Sequence, residues 1–281
     1  MKNILTIDME DWYQTNDFDF PCSKWPEYED RIERNTIALL DILDHTETKG
    51  TFFVLGYIAQ KYPQLIREIS ARGHEIASHG YEHRMLDAQS REWFTKDLIL
   101  SKNILQDVTG KAVTGYRAAS WSISRDTLWV FEVLEQEGFI YDSSIQPFRT
   151  PLSGVNKAPL RPFYPVIDGR KINILEYPST VLKFGIFKIP FSGGFYLRFW
   201  PYWFVNHCFR QVSKKNTAML YVHPWEIDVE QPRLDFPPHI CFVHYYNIVT
   251  TASKIRRLIK TYKFYPMNQV IQECTWPEVK L

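Results

Sequence analysis

The chain has 281 residues, 45% of them hydrophobic and 23% charged, with a formal net charge of +1. That balance fits an ordinary soluble globular protein and argues against a general nucleic-acid binder. No run of about 18 apolar residues appears, so no membrane-spanning helix is expected. The aromatic share is high, with 9 Trp, 16 Tyr and 19 Phe, a richness that serves sugar-binding clefts and cores alike. Cys22, Cys208, Cys241 and Cys274 are scattered, with no Cys-x2-Cys pair, and read as reduced thiols. Residues 1–8 enter a strand directly, without a charged region followed by a long apolar one, so the expected location is the cytoplasm.

In chain order, residues 4–7 form a short apolar strand ending in Asp8-Met9-Glu10-Asp11. Three acids gathered behind an apolar strand repel one another, which favours a cation between them. Residues 12–28 read as a long aromatic and acidic loop. Periodicity predicts a helix over 29–45, with Ile32, Ile37, Leu40 and Leu43 on one stripe. Residues 51–56 read as a buried strand and 62–71 as a helix. A strand following Gly73 feeds Ser78-His79-Gly80-Tyr81-Glu82-His83. On a helical turn positions i and i+4 share a face, so His79 and His83 are expected to aim at one point. Imidazole is the commonest metal ligand near neutral pH.

A helix over 90–109 closes at Gly110, and a strand over 112–116 ends in Arg117-Ala118-Ala119-Ser120-Trp121. A helix over 124–137 stops at Gly138, and a strand over 139–141 ends in Asp142-Ser143-Ser144, which also suits a helix N-cap. Prolines break up residues 146–200, leaving a strand at 172–177 and a glycine-rich loop at 191–196. A helix over 200–214 precedes a strong strand at 218–222, which ends in His223-Pro224-Trp225-Glu226-Ile227-Asp228. Residues 229–240 read as a proline-rich loop and 247–262 as an amphipathic helix. Strands and helices alternate, with polar residues where strands end. This is the pattern of a parallel α/β sheet or barrel, whose sites lie at the C-terminal strand ends. With no internal repeat or linker, a single domain over 1–281 is expected.

These ordered motifs, from residue 4 to about 228, resemble the polysaccharide deacetylases, carbohydrate esterase family four, which carry the nodulation-deacetylase homology domain. Thr51-Phe52-Phe53-Val54-Leu55-Gly56 is also close to that family's second-strand sequence. The tail, from about 190 to 281, resembles a subfamily associated with bacterial exopolysaccharide synthesis, through the stretch 221–228 and Tyr265-Pro266-Met267. The resemblance implies a distorted (β/α) barrel with a metal site. It implies Asp8 as base, His79 and His83 as metal ligands, Arg117 as the arginine that holds the base, Asp142 as the acid that orients and charges the catalytic histidine, and His223 as that histidine. The family's usual second aspartate is replaced by Met9, so the metal carboxylate falls to Glu10 or Asp11. Strand alternation puts Asp8 and Glu10 on one side and favours Glu10. The family's prolines after the arginine are replaced by Ala118 and Ala119.

The chemistry implied is amide hydrolysis on an N-acetylated glycan, with O-acetyl groups as a variant substrate. A divalent ion is the cofactor, Zn2+ first, with Co2+, Ni2+ or Mn2+ as alternatives. A backbone N–H such as that of Ser120 would serve the oxyanion, and Trp121 and Trp225 would line a sugar cleft or fill the barrel rim. Glu226 and Asp228 read as solvated or structural. Two rivals stand beside this reading. His79-Gly80-Tyr81-Glu82-His83 also fits the His-x-x-Glu-His peptidase pattern, which needs a helix through both histidines, and a non-catalytic glycan-binding barrel is the third possibility. The sequence leaves the oligomeric state open.

Overall fold

The computed structural model describes residues 2–18, 20–150, 153–272 and 276–281; Cys274 lies outside the described residues. Cys22, Cys208 and Cys241 are free thiols. The first half of the chain runs through β1 (Asn3–Met9), α1 (Ile32–Asp44), β2 (Thr51–Val54), α2 (Gly56–Lys61), α3 (Pro63–Ala71), β3 (Glu75–Ser78), α4 (Arg91–Thr109), β4 (Gly115–Tyr116), α5 (Val130–Gln136) and β5 (Tyr141–Asp142). The second half adds β6 (Tyr164–Ile167), β7 (Arg170–Lys171), β8 (Leu175–Glu176), β9 (Val181–Phe184), β10 (Phe187–Pro190), α6 (Gly194–Phe199), α7 (Tyr202–Ser213), β11 (Met219–Val222), α8 (Pro238–Tyr245), α9 (Thr251–Thr261), β12 (Phe264–Tyr265), α10 (Met267–Ile271) and β13 (Glu278–Lys280). The main sheet has the strand order β11-β1-β2-β3-β4-β5-β8, with β12 also paired to β1. The expected α/β class of barrel type holds. The strands after Gly73, Gly110 and Gly138 all form, shorter than the sequence suggests.

The chain divides into two compact units. In the first (Met1–Phe52, Gly73–Glu75 and Thr180–Val270), β1 is parallel to β11, with Ile7 opposite Val222, and to β12. All seven residues of β1 are buried, which suits a parallel strand covered on both faces. The loop before α1 is a packed aromatic cluster rather than a solvated excursion. Tyr13 stacks on Tyr28 with centroids 5.3 Å apart, and Phe18 stacks on Phe236 at 4.7 Å. Much of the aromatic excess is therefore core, and full burial of each Phe contributes about 1.5–3 kcal/mol. At the end of α6 the ammonium of Lys254 donates to the carbonyls of Leu197, Arg198 and Trp200, which would otherwise be orphans of the helix terminus.

In the second unit (Phe53–Arg72, Ile76–Ser179 and Ile271–Leu281), β3, β4, β5 and β8 pair in parallel succession. A Cβ at Gly115 would fall 2.0 Å from the Tyr141 ring, so only glycine lets β4 approach β5 there. Ser90 caps α4 by accepting from Trp93 N at 3.2 Å, and Gly110 ends that helix with φ +66°. The helix expected over 124–137 is divided into a 3-10 turn, Arg125–Thr127, and α5. Asp142-Ser143-Ser144 caps no helix, since irregular chain follows β5.

Asp11 lies in the first unit and serves α1. Its Oδ2 accepts from Arg31 N at 2.6 Å and Ile32 N at 2.8 Å, and its Oδ1 from Trp12 N at 2.8 Å. A carboxylate distant in sequence thus satisfies the first donors of the helix and complements its dipole. Asp11→Ala should lower stability by about 1–2 kcal/mol, the usual cost of a lost N-terminal cap. The urea-unfolding midpoint measures this.

Candidate active site

Two groups of side chains gather at strand ends, one in each unit. In the first, β1 delivers Asp8 and Glu10, and β11 delivers His223. His223 Nε2 lies 3.2 Å from Glu10 Oε1 and 3.8 Å from Asp8 Oδ2. Its Nδ1 lies 2.8 Å from Glu226 Oε2, and the same oxygen accepts from His223 N at 3.1 Å. Glu226 Oε1 accepts from Arg198 Nε at 2.8 Å, so the carboxylate sits between two cations. Burial works to lower the pKa of His223, but Glu226, Glu10 and Asp8 outweigh it and raise the pKa to about 9. Burial works to raise that of Glu226, yet His223 and Arg198 hold it below the ordinary value. His223 therefore carries its proton near neutral pH.

The carboxylate that orients His223 is thus Glu226, not Asp142. Asp142 is committed elsewhere: its Oδ1 accepts from Ser144 Oγ at 2.6 Å and its Oδ2 from Ser144 N at 3.1 Å. Of the two places open to Trp225, sugar cleft or packed rim, it takes a packed one. It is 4% exposed, stacked on His223 at 5.4 Å and on His244 at 4.4 Å, with its indole N–H 3.5 Å from Glu10 Oε1. Both faces are occupied, so it props His223 and Glu10 rather than offering a platform to a sugar.

In the second unit, His79 and His83 follow β3 with ring centroids 4.9 Å apart. The turn joining them is not helical. Gly80 has φ +74° and His83 φ +51°, and the chain from 79 to 85 is irregular. The loop is instead tied down from α4. Asp97 accepts from Tyr81 N at 2.9 Å and Glu82 N at 3.3 Å, while Ser101 Oγ donates to Gly80 O at 2.9 Å. A Cβ at Gly80 would meet Asp97 Oδ2 at 2.9 Å, so glycine is required by space as well as by φ. The absence of a helix removes the His-x-x-Glu-His peptidase reading.

His79 Nδ1 lies 2.7 Å from the carbonyl of Arg117. A carbonyl only accepts, so Nδ1 carries the hydrogen and Nε2 keeps its lone pair for a ligand. Arg117 is fully buried, with its guanidinium 4.1 Å from the Phe53 ring and 4.1 Å from the Trp121 ring. Its Nε donates to Ser143 O and its Nη2 to Ser143 Oγ, both at 3.0 Å. Trp121, 4% exposed, covers the guanidinium, the packed one of its two expected places. Ser120 and Trp121 both have positive φ, 51° and 56°.

Ala118 N donates to Ser144 Oγ at 2.8 Å, and Ser144 in turn donates to Asp142. Proline at 118 has no N–H and could not make that bond. Glu176 lies beside Asp142. Burial and the neighbouring Asp142 raise its pKa well above the ordinary value. Asp142 and Glu176 thus fix the loop that carries Arg117.

His79 and His83 thus converge within the second unit, and Glu10 stands beside His223 in the first. Asp11, in that same first unit, is occupied with α1.

Residues 25–138 match the family model described as polysaccharide deacetylase. That segment is similar to the polysaccharide deacetylases. Residues 143–272 match a second model, described as a domain of unknown function, DUF3473. A peptidoglycan deacetylase of Helicobacter pylori is 33% identical over 107 residues, covering 38% of this chain and 36% of that protein. A chitooligosaccharide deacetylase of Sinorhizobium fredii is 32% identical over 91 residues, 32% of this chain and 42% of that one. The matched segment thus spans well under half the length of either relative. A structure from Mycobacterium smegmatis assigned to the polysaccharide deacetylases covers 98% of this chain and 92% of its own, at 20% identity and TM-score 0.63, and shares the fold.

Among the residues of the two groups, Asp97, Ser101, Arg198, Glu176 and the role of Glu226 are not evident from the sequence. Only the His-Pro-Trp-Glu spacing, which lets Glu226 fold back on His223 in a tight turn, carried a signal. Asp97→Ala should weaken divalent-metal affinity about 10–100-fold, the usual effect of losing an outer support of a ligand. Isothermal titration with Zn2+ checks this, and an unchanged affinity would show that the loop holds its form without α4.

Proposed function

We propose that the protein is a metal-dependent hydrolase that removes N-acetyl groups, and in a variant reaction O-acetyl groups, from a glycan. The proposed setting is bacterial exopolysaccharide or cell-wall polysaccharide metabolism. The reading rests on one observation above all: a partly buried, proton-bearing His223 stands beside Asp8 and Glu10, the first of which has the chemistry of a base and the second that of a ligand. The peptidoglycan and chitooligosaccharide deacetylases among the relatives support the substrate class.

The donor set fits a divalent cation. Two imidazoles, one with its tautomer set by the Arg117 carbonyl, and one carboxylate suit Zn2+ first, with Co2+, Ni2+ or Mn2+ also compatible. Glu10, His79 and His83 would hold it. When bound, such an ion supplies Lewis acidity, lowering the pKa of water and polarising an acyl carbonyl. Asp8 is assigned to take the proton of the attacking water as general base, with Arg117 as the arginine assigned to position it. The Ser120 N–H is the proposed donor to the oxyanion. His223 gives its proton to the leaving nitrogen, which departs poorly as an anion. Glu226 keeps His223 charged and turned, and Trp225 supports the ring from beneath. Trp121 and Trp225 act on the substrate only through Arg117 and His223.

Chelation should abolish acetate release from N-acetylglucosamine oligomers, and Zn2+ should restore it. Full release by protein shown to be free of divalent metal overturns the metal-dependent reading. Metal at one equivalent with no release from any N-acetylated glycan would favour the glycan-binding alternative.

His223→Ala should keep its metal while turnover falls about a hundred-fold, the usual scale for a general acid. The loss should be smaller on an aryl acetate, whose leaving group needs no proton. Loss of metal in that variant would make His223 a ligand instead.

Glu226→Gln should move the alkaline fall of activity to lower pH. The acid works only while protonated, Glu226 raises the pKa of His223, and removing that charge lets the proton leave earlier as pH rises. A pH–rate profile of the variant checks this.

A further inference from the structure

The β9–β10 hairpin, remote in sequence from every residue assigned to the reaction, has an unusual surface. It is a two-residue hairpin in which Phe184 faces Phe187 and Lys183 faces Lys188. The turn is Gly185-Ile186, with Gly185 at φ +58°. Phe184 is 71% exposed, Phe187 65% and Ile186, at the tip, 89%. Three large apolar side chains at one tip are more than the scattered exposure that soluble surfaces tolerate singly. One rung behind them stands a pair of like charges, Lys183 and Lys188.

We propose that this hairpin is a membrane-contact element that inserts its apolar tip shallowly into an anionic phospholipid surface. The chemistry of the tip selects that partner over a glycan. An isoleucine at the point offers no flat face for a sugar ring and no hydrogen bond, whereas it gains from entering an acyl layer. The dimensions agree. Successive residues rise about 3.4 Å along a strand, so the lysine rung sits about one step above the Phe rung. That places the ammonium groups at headgroup level when Ile186, Phe184 and Phe187 enter the acyl boundary, an insertion depth of roughly 5–10 Å. Lysine stems lie along apolar surface while their heads stay in the polar layer. Helix α7 packs against β9 and exposes Trp203 at 71%, a residue type suited to the headgroup layer. The element makes contact with a membrane and does not span one; among the described residues no helix is long and apolar enough to cross.

The test is co-sedimentation of the full chain with large unilamellar vesicles of phosphatidylcholine, or of phosphatidylcholine and phosphatidylglycerol in equal parts. The wild type should sediment with the anionic vesicles, be released by high salt, and stay in solution with the neutral ones. The tip variant Ile186→Asp/Phe187→Asp should bind at least tenfold more weakly, with melting temperature and acetate release unchanged. A tip variant that sediments as the wild type does, or a wild type that ignores anionic vesicles, overturns the proposal. So does a tip variant that loses only glycan retention or only self-association on a sizing column. If the tip variant fails to fold, Lys183→Glu/Lys188→Glu decides, because full binding by that variant removes the electrostatic half of the argument.

Discussion

Glu226 is a carboxylate with no access to water, and it keeps its charge only because a guanidinium and an imidazolium flank it. Removing either partner would leave a buried ion uncompensated, a loss of about 3–5 kcal/mol in buried pairs generally. Arg198 is itself held by the carbonyls of Val243, His244 and Tyr246, where α8 ends. The position of the imidazole is therefore set through a chain of charge from a helix end, through Arg198 and Glu226, to His223. An imidazolium built in this way is oriented by its own neighbours.

The His79–His83 loop is supported by the same kind of device in a different form. It has no regular structure to fix it, and Asp97 and Ser101 from α4 supply the missing backbone partners. Burial pushes the pKa of Asp97 up to about 6, opposed by the two N–H donors of the loop, so holding the loop costs something in desolvation. In both groups, irregular chain at a strand end is made rigid by polar side chains arriving from helices. Strand ends place the reactive groups, and helices hold them there.

Much of this was legible in the sequence. Hydrophobic runs ending in Asp8, His79, Arg117, Asp142 and His223 marked the strands and their functional ends, because burial pattern and strand termination are local properties. Alternation along β1 also separated Glu10 from Asp11. What escaped were pairings between distant segments. Spacing of four suggested a helical turn for His79 and His83, but Gly80 with positive φ builds the same convergence from a loop. Asp142 was assigned to His223 by analogy, whereas Glu226, three residues away, reaches the ring first. The two tryptophans looked like platforms because sequence does not reveal that Arg117 and a pair of imidazoles already occupy their faces. Glu226 itself reads as a surface acid until its partner, Arg198, is brought in from 28 residues away.

The bond from Ala118 N to Ser144 Oγ has a bearing on how such chains can vary. Ala118 has φ −73° and ψ 145°, angles that proline adopts without strain. Shape therefore does not bar proline at 118; the hydrogen bond does. A chain with proline there loses the donor, and the Ser144 hydroxyl, still tied to Asp142, no longer fastens the arginine loop. Positions 118 and 144 thus form a linked pair, each choice making sense only in the light of the other. Exchanging one alone would leave a buried oxygen short of a partner, while exchanging both would trade a hydrogen bond for a stiffer backbone.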